Sequence, residues 1–178
     1  MKNAILGVVL GGMTMYFYGF IYWGLSPLPY QTLERTNGDE AAQQALREHF
    51  PRVGTYYVPG MYNEEAELNR LHEAGPVAMV YVTSVEGRPV YDSVVMGKGV
   101  VLCLVVSGLL WALLAAANPA GYGASIKLIA IAAVAAAVMF PIGDTVWWYL
   151  PLAWKLHQAF YAATAWIVAG LVLARFRR

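Results

Sequence analysis

The chain has 178 residues, of which 59% are hydrophobic and 13% are charged, and its formal net charge is +1. Soluble proteins average roughly 45–50% apolar and about 25% charged residues, so this composition excludes an ordinary soluble domain and indicates an integral membrane protein. The single cysteine, Cys103, lies in an apolar run. A disulfide framework and a Cys-based metal site are therefore excluded.

The charges are divided unevenly along the chain. Residues 26–93 contain ten of the eleven acidic residues and five arginines, and the rest of the chain contains seven Lys or Arg and only Asp144. A nucleic-acid partner is not expected, because such a partner requires a basic patch. The division instead predicts one polar excursion between apolar segments.

Four segments have the length that a hydrocarbon core of about 30 Å requires, which is about 20 apolar residues. They are residues 4–23, 94–117, 124–140 and 152–174. Each should be helical, because only a helix satisfies its own backbone in lipid. The third is short and alanine-rich, so we predict that it lies inside the bundle, where small residues permit close approach. The first continues into aromatic residues without a cleavage site before Pro27, which predicts an uncleaved anchor.

Basic residues near the ends of these segments predict the orientation, since they favour the cytoplasmic side. Those on one side are Lys2, Lys127, Arg175, Arg177 and Arg178, and those on the other are Lys98 and Lys155. Both termini should face the cytoplasm. The predicted organisation is helix 1 in residues 1–25, an extracytoplasmic domain in residues 26–93, and helices 2–4 in residues 94–178. A turn in residues 141–151 joins the last two helices on the outer side.

The excursion is expected to be a small α+β domain. Asn37 followed by Glu40 predicts a helix that Pro51 stops, and a cap at Asn63 predicts a second helix ending at Gly75. Apolar β-prone residues in 53–58 and 77–83 predict two strands. A domain of this size has a marginal core. We therefore expect it to rest on the helices or on a partner.

Aromatic residues are concentrated at the outer ends of the predicted helices. They are Tyr18, Tyr22, Trp23, Trp147, Trp148, Tyr149 and Trp154. Such residues are typical of the aromatic belt that anchors helices at the depth of the headgroups. The alternative is a surface that contacts a lipid, a quinone, a pigment or a partner helix.

Asp144, Lys155 and His157 are the ionisable residues nearest the outer ends of the last two helices. One interpretation is a structural ion pair at the interface, and the other is a proton or ligand site. No other predicted span contains a histidine, so a bis-His haem site is excluded. In the excursion, the acidic residues around His72 do not share a three-ligand helix face, so we predict no metal site. No catalytic set is apparent.

Four glycines of the first span predict close helix packing, within the bundle or against another subunit. They are Gly7, Gly11, Gly12 and Gly19. The first two form a G-x-x-x-G motif.

The Phe20–Trp23 run, the Gly54–Pro59 run and the Trp147-Trp148 pair resemble a set of small bacterial four-span membrane proteins of uncharacterised function. Those proteins have an aromatic first helix, a periplasmic insertion between the first two spans, and a Trp-rich turn before the last helix. The resemblance implies a bacterial inner-membrane location. It implies no catalytic residues.

These features lead to two main hypotheses of function. The first is a non-catalytic accessory subunit of a larger respiratory or photosynthetic membrane complex, whose partners are lipids and other subunits and which needs no cofactor of its own. The second is a membrane protein, an enzyme included, that binds a small molecule, quinone or lipid at the outer interface. A third alternative is a sensor whose excursion binds an external signal.

Overall fold

The computed structural model of the chain describes residues 2–177. Arg178, one of the basic residues used to predict the orientation, lies outside this range. The chain forms two compact units. One comprises the chain up to Glu34 together with the chain from Ser93 onward, and the other is Arg35–Asp92.

The first unit is built of four long helices. The first is α1 (Lys2–Gly19), which continues as a π-helical turn (Phe20–Leu25), and the second is the long α4 (Ser93–Ala117). The third consists of α5 (Gly121–Ala137), a π-helical turn (Val138–Ile142) and α6 (Gly143–Trp147). The fourth is α7 (Leu152–Phe176). All four are long and apolar enough to cross a membrane, which confirms this part of the prediction.

The helix at the centre of the unit is α7, which packs against both α1 and α5, while α4 packs mainly against α1. The prediction that the third span lies inside the bundle was wrong, because it is the least buried of the four and α7 is the most buried. Of the alanines of α5 only Ala133 and Ala137 are buried, whereas Ala124 and Ala135 are exposed, as is Ile131. The last helix takes the central place through small residues of its own, among them Ala169 and Gly170.

The predicted turn in residues 141–151 was wrong in extent. The third helix passes through Pro141 in the π-helical turn and ends only at Trp147. Proline lacks the N–H of a regular helical turn and its ring clashes with the preceding turn. The wider π-helical turn places the proline within the helix, and insertions of this kind commonly bend it. The connection to α7 is correspondingly short, at residues 148–151.

Residues after the first long helix stay with the helical unit as far as Glu34. They include a 3-10 turn (Pro29–Thr32) in which Pro29 is buried. The Tyr30 hydroxyl donates to the Trp23 carbonyl oxygen at 2.5 Å. These contacts turn the chain at the end of the helix.

The second unit has the predicted order of helix, strand, helix and strand. Its elements are α2 (Asp39–His49), β1 (Gly54–Val58), α3 (Glu65–Ala74) and β2 (Ala78–Val82). The strands pair antiparallel, with Gly54 opposite Val82 and Val58 opposite Ala78. Both helices begin one residue later than predicted, so that Gly38 and Glu64 occupy the N-cap positions.

Aromatic side chains from the end of α2 and from α3 lie against neighbouring residues of β1. Phe50, after α2, packs edge-on against Tyr56, and their ring centroids are 4.9 Å apart. The ring centroid of His72 in α3 lies 5.8 Å from that of the next strand residue, Tyr57. Neighbouring strand residues point to opposite faces. Within Arg35–Asp92 the only buried residue is Pro59. The sheet and helices therefore do not enclose a core of their own.

Candidate functional site

A cluster of aromatic rings joins the end of the first long helix to the beginning of α7. We call it the aromatic cluster; its members are Tyr18, Tyr22, Trp23, Trp154 and Tyr161. The ring centroids of Tyr18 and Tyr161 are 5.8 Å apart with an interplanar angle of 3°, and those of Trp23 and Trp154 are 5.6 Å apart. Aromatic pairs at these distances contribute about 0.5–1.5 kcal/mol beyond burial. The cluster therefore stabilises the packing of the two helices against each other.

The π-helical turn at the end of the first helix places Tyr22 and Trp23 in the aromatic cluster. Tyr22 and Trp23 are consecutive residues, yet both rings contact Tyr161, at centroid distances of 5.6 and 5.5 Å. A wider turn changes the angular spacing of side chains from that of an α-helix. The sequence periodicity alone did not indicate this arrangement.

Tyr161 is the member that sequence reasoning missed. A methyl group on Gly19 would lie 2.5 Å from the Tyr161 hydroxyl oxygen, so the glycine leaves room for this ring. The signal was available in the spacing, because Trp154, His157 and Tyr161 follow one another at intervals of three and four residues on one helix face.

A hydrogen bond between Tyr22 and His157 lies beside the cluster. The Tyr22 hydroxyl is 2.7 Å from Nδ1 of His157 and 3.3 Å from the His157 carbonyl oxygen. When the hydroxyl donates to Nδ1, the neutral imidazole carries its proton on Nε2. For Nε2 we find no partner among residues 2–177. The imidazole is thus held in one orientation with a donor at its far side.

Asp144 and Lys155 form an ion pair across the short connection, with Lys155 Nζ 2.7 Å from Asp144 Oδ2. The Lys155 side chain is 11% exposed, and that of Asp144 is 39% exposed. Lys155 and His157 are two residues apart on α7, so their side chains lie about 200° apart around the helix axis. They face different neighbours, Asp144 of α6 in one case and Tyr22 in the other. The three ionisable residues grouped in the sequence therefore belong to two separate contacts.

The remaining aromatic candidates lie in and after α6. Trp147 is 74% exposed and Tyr149 is 90% exposed. Tyr149 has a positive φ of 54°, and the backbone N–H of Trp148 donates to the Asp144 carbonyl oxygen at the end of the helix. Exposed rings at a helix end of this kind are typical of interfacial anchoring.

The four glycines of the first helix lie at close contacts with other helices of the same chain. A methyl group on Gly11 would lie 2.8 Å from Ser107 Oγ, and one on Gly12 would lie 3.0 Å from the Leu104 Cα atom. Gly7 faces Phe176 and Trp111 in the same way. The Ser107 hydroxyl also donates to the Val8 carbonyl oxygen at 2.8 Å. Close approach of the backbones thus serves packing within the bundle.

Among the described residues, no group of three or more His, Cys, Asp or Glu could hold a metal ion. The ionisable groups that the sequence singled out are engaged with one another or with tyrosine. Comparison with known proteins found no family model that matches the chain, and no match among curated proteins or solved structures.

Proposed function

We propose that this protein is a non-catalytic accessory subunit of a larger membrane assembly of the respiratory or photosynthetic kind. Its place is the cytoplasmic membrane of a bacterium, with both termini in the cytoplasm and residues 26–93 in the periplasm. This orientation rests on the distribution of Lys and Arg. The observation that carries the function is the lack of a core in Arg35–Asp92, where Pro59 alone is buried.

Large apolar side chains of this unit remain in contact with water. Those more than half exposed are Val53, Met61, Tyr62, Tyr81, Val90 and Tyr91. Burial stabilises a fold by roughly 25 cal/mol for each Å² of apolar surface removed from water. A domain this small can bury little such surface by itself. Binding to a partner would remove these side chains from water and supply the missing core.

The contacts at the aromatic cluster also favour a structural role. Asp144 is bound to Lys155, Tyr22 to His157, and the Tyr18 hydroxyl lies 2.6 Å from Thr164 Oγ1. Each of these pairs joins α7 to a neighbouring helix. Hydrogen bonds and ion pairs of this kind hold neighbouring helices together.

Extraction from native membranes in mild detergent, followed by native mass spectrometry, tests the proposal. We expect the 19.5 kDa chain in an assembly with other proteins. Replacing Tyr62 and Tyr91 with serine should release those partners, because both side chains are highly exposed, at 92% and 82%. The matched control is Tyr149→Ser in the helical unit, which should keep them. A lone chain of 19.5 kDa would contradict the proposal.

A second candidate function is the binding of a quinone or lipid at the outer interface. The observation that favours it is the His157 imidazole, whose Nδ1 is engaged by Tyr22 and whose Nε2 has no partner among the described residues. A ring N–H beside aromatic rings suits a carbonyl oxygen of an amphiphile. Lipid extracts of the purified protein should then contain a ligand that His157→Phe loses and Lys155→Met retains. Equal ligand content in both variants would exclude this function.

A further inference from the structure

We infer that two copies of this chain pair through the free edge of β2, which joins their two-stranded sheets into one sheet of four strands. This goes beyond the proposed function, because self-association does not require a larger assembly. In the described part of the chain, β2 is hydrogen-bonded to β1 along one edge only. The other edge presents backbone donors and acceptors that another strand can bind.

The free edge lacks the features by which proteins usually protect such edges. Charged residues, proline and bulges are the common devices. Neither strand contains a charge or a proline, and each has a proline beside it, Pro59 directly after β1 and Pro76 shortly before β2. After β2 the chain continues through Thr83, Ser84 and Val85, and the first charge is Glu86. The strand is also rich in residues that favour sheets. The β2 edge is therefore open to pairing along the strand.

An open groove of about 420 Å³ borders this edge. One wall is the run Val80–Gly87, which comprises the last three residues of β2 and the segment after it. The other wall includes Leu46 of α2 and Phe50, which follows that helix. Alternate residues of a strand point to opposite faces. The consecutive strand residues Val80, Tyr81 and Val82 all line the groove, so the groove reaches the edge of the strand, where the backbone groups lie. Its apolar wall can receive the side chains of an added strand.

The charges of the groove favour a second copy as the occupant. Arg47 and Glu86 both line it, and neither forms an ion pair within residues 2–177. Both side chains are exposed, and an occupant with a carboxylate near Arg47 and a cation near Glu86 would match their charges. A second copy brings both, because a two-fold axis presents the Glu86 and Arg47 of each copy to the other.

Pairing would also remedy the weakness of the sheet. A two-stranded sheet is marginally stable in water, and three or more strands with an apolar face are needed for independent stability. Four strands across the axis meet this requirement. Anchoring both copies in one membrane would raise their effective concentration at the edge.

Disulfide cross-linking of the full-length protein in its native membranes tests the pairing. Cys103 is first replaced by serine, and single cysteines are then placed in turn at Val80, Tyr81, Val82 and Thr83. Mild oxidation should give a dimer of twice the 19.5 kDa chain mass from at least one of these positions. The matched control is Thr55→Cys on β1, which should give at least fivefold less dimer.

A charge exchange makes the test specific for the groove. In the cysteine variant that cross-links best, Arg47→Glu should reduce the dimer several-fold, and adding Glu86→Arg should restore it. No dimer from any β2 position, or an equal yield from Thr55→Cys, would overturn the inference. An adduct of another mass would also overturn it, because the occupant would then be a different protein. A homodimer without other proteins would contradict the accessory function and leave this inference standing.

Discussion

The hydroxyl of Tyr22 lies 2.7 Å from Nδ1 of His157 and joins the π-helical end of the first long helix to the second turn of α7. Around it the two helices meet through ring contacts and through a second hydrogen bond, between Tyr18 and Thr164. Hydrogen bonds add a direction that ring stacking does not define. A hydrogen bond fixes both the ring of the tyrosine and the orientation of the imidazole. Together with the Tyr18–Thr164 bond, the pair links specific positions of the two helices.

Removing this hydrogen bond should loosen the contact between the two helices. We expect Tyr22→Phe to lower the free energy of unfolding in detergent by about 1 kcal/mol, since interhelical hydrogen bonds in membranes contribute roughly 0.6 and at most about 1.7 kcal/mol. A double-mutant cycle with His157→Phe measures the coupling between the two side chains. Additive effects of the two substitutions would show that the bond contributes nothing.

Adding one methyl group at Gly12 should disturb the contact between α1 and α4. The new atom would lie 3.0 Å from the Leu104 Cα and 3.2 Å from the Cys103 carbonyl oxygen, and backbone atoms cannot rotate away. We expect Gly12→Ala to cost about 1–3 kcal/mol, as overpacking usually does. Gly108→Ala is the matched control, because nothing lies within 4 Å of its added methyl group. Thermal unfolding in detergent compares the two; equal midpoints would contradict the packing role of Gly12.

The ion pair between Asp144 and Lys155 should respond unequally to loss of either partner. Asp144→Asn leaves an ammonium group that is only 11% exposed without its counter-charge, whereas Lys155→Met leaves a carboxylate that water can reach. We expect Asp144→Asn to cost about 1–2 kcal/mol and Lys155→Met less, because a buried unpaired charge is the larger penalty. The double variant should be more stable than Asp144→Asn alone. The reverse order in unfolding measurements would contradict this account.

Lowering the pH should destabilise helix α3, because it protonates Glu67. The side-chain hydrogen bonds from Arg70, at 2.7 and 2.6 Å, hold the pKa of the Glu67 carboxyl below its usual range. A carboxyl whose pKa is lower in the folded state stabilises the fold above its unfolded pKa of about 4.3, and this contribution disappears as the pH falls through the folded pKa.

Carboxyl NMR titration of Glu67 checks this directly. Arg70→Gln removes the donors, so the Glu67 pKa should rise in that variant toward the usual value. An unchanged Glu67 pKa in Arg70→Gln would show that the pair has no influence on it. The stabilisation is expected to be small, because both side chains are largely exposed and exposed pairs contribute little.

The four apolar helices and the order of elements in Arg35–Asp92 follow from local sequence, because length, hydropathy and turn residues act over a few neighbours. Asn37 and Asn63 predicted the helix starts to within one residue of the observed Gly38 and Glu64 caps. The prediction that the third helix ends at Pro141 was wrong because it also used only neighbouring residues. A local rule places a break at proline, whereas the structure places a π-helical turn there and continues the helix.

The sequence by itself determined which segments are apolar, where the acidic excursion lies, and that the glycines of the first helix are suited to close contact. Only the tertiary structure decided which helix is central and which polar residues meet. Tyr161 enters the aromatic cluster and Lys155 turns away from His157 because of their angular positions on α7 relative to its neighbours. Those positions depend on how four helices pack, and packing contacts join residues far apart in the chain, such as Tyr22 and His157.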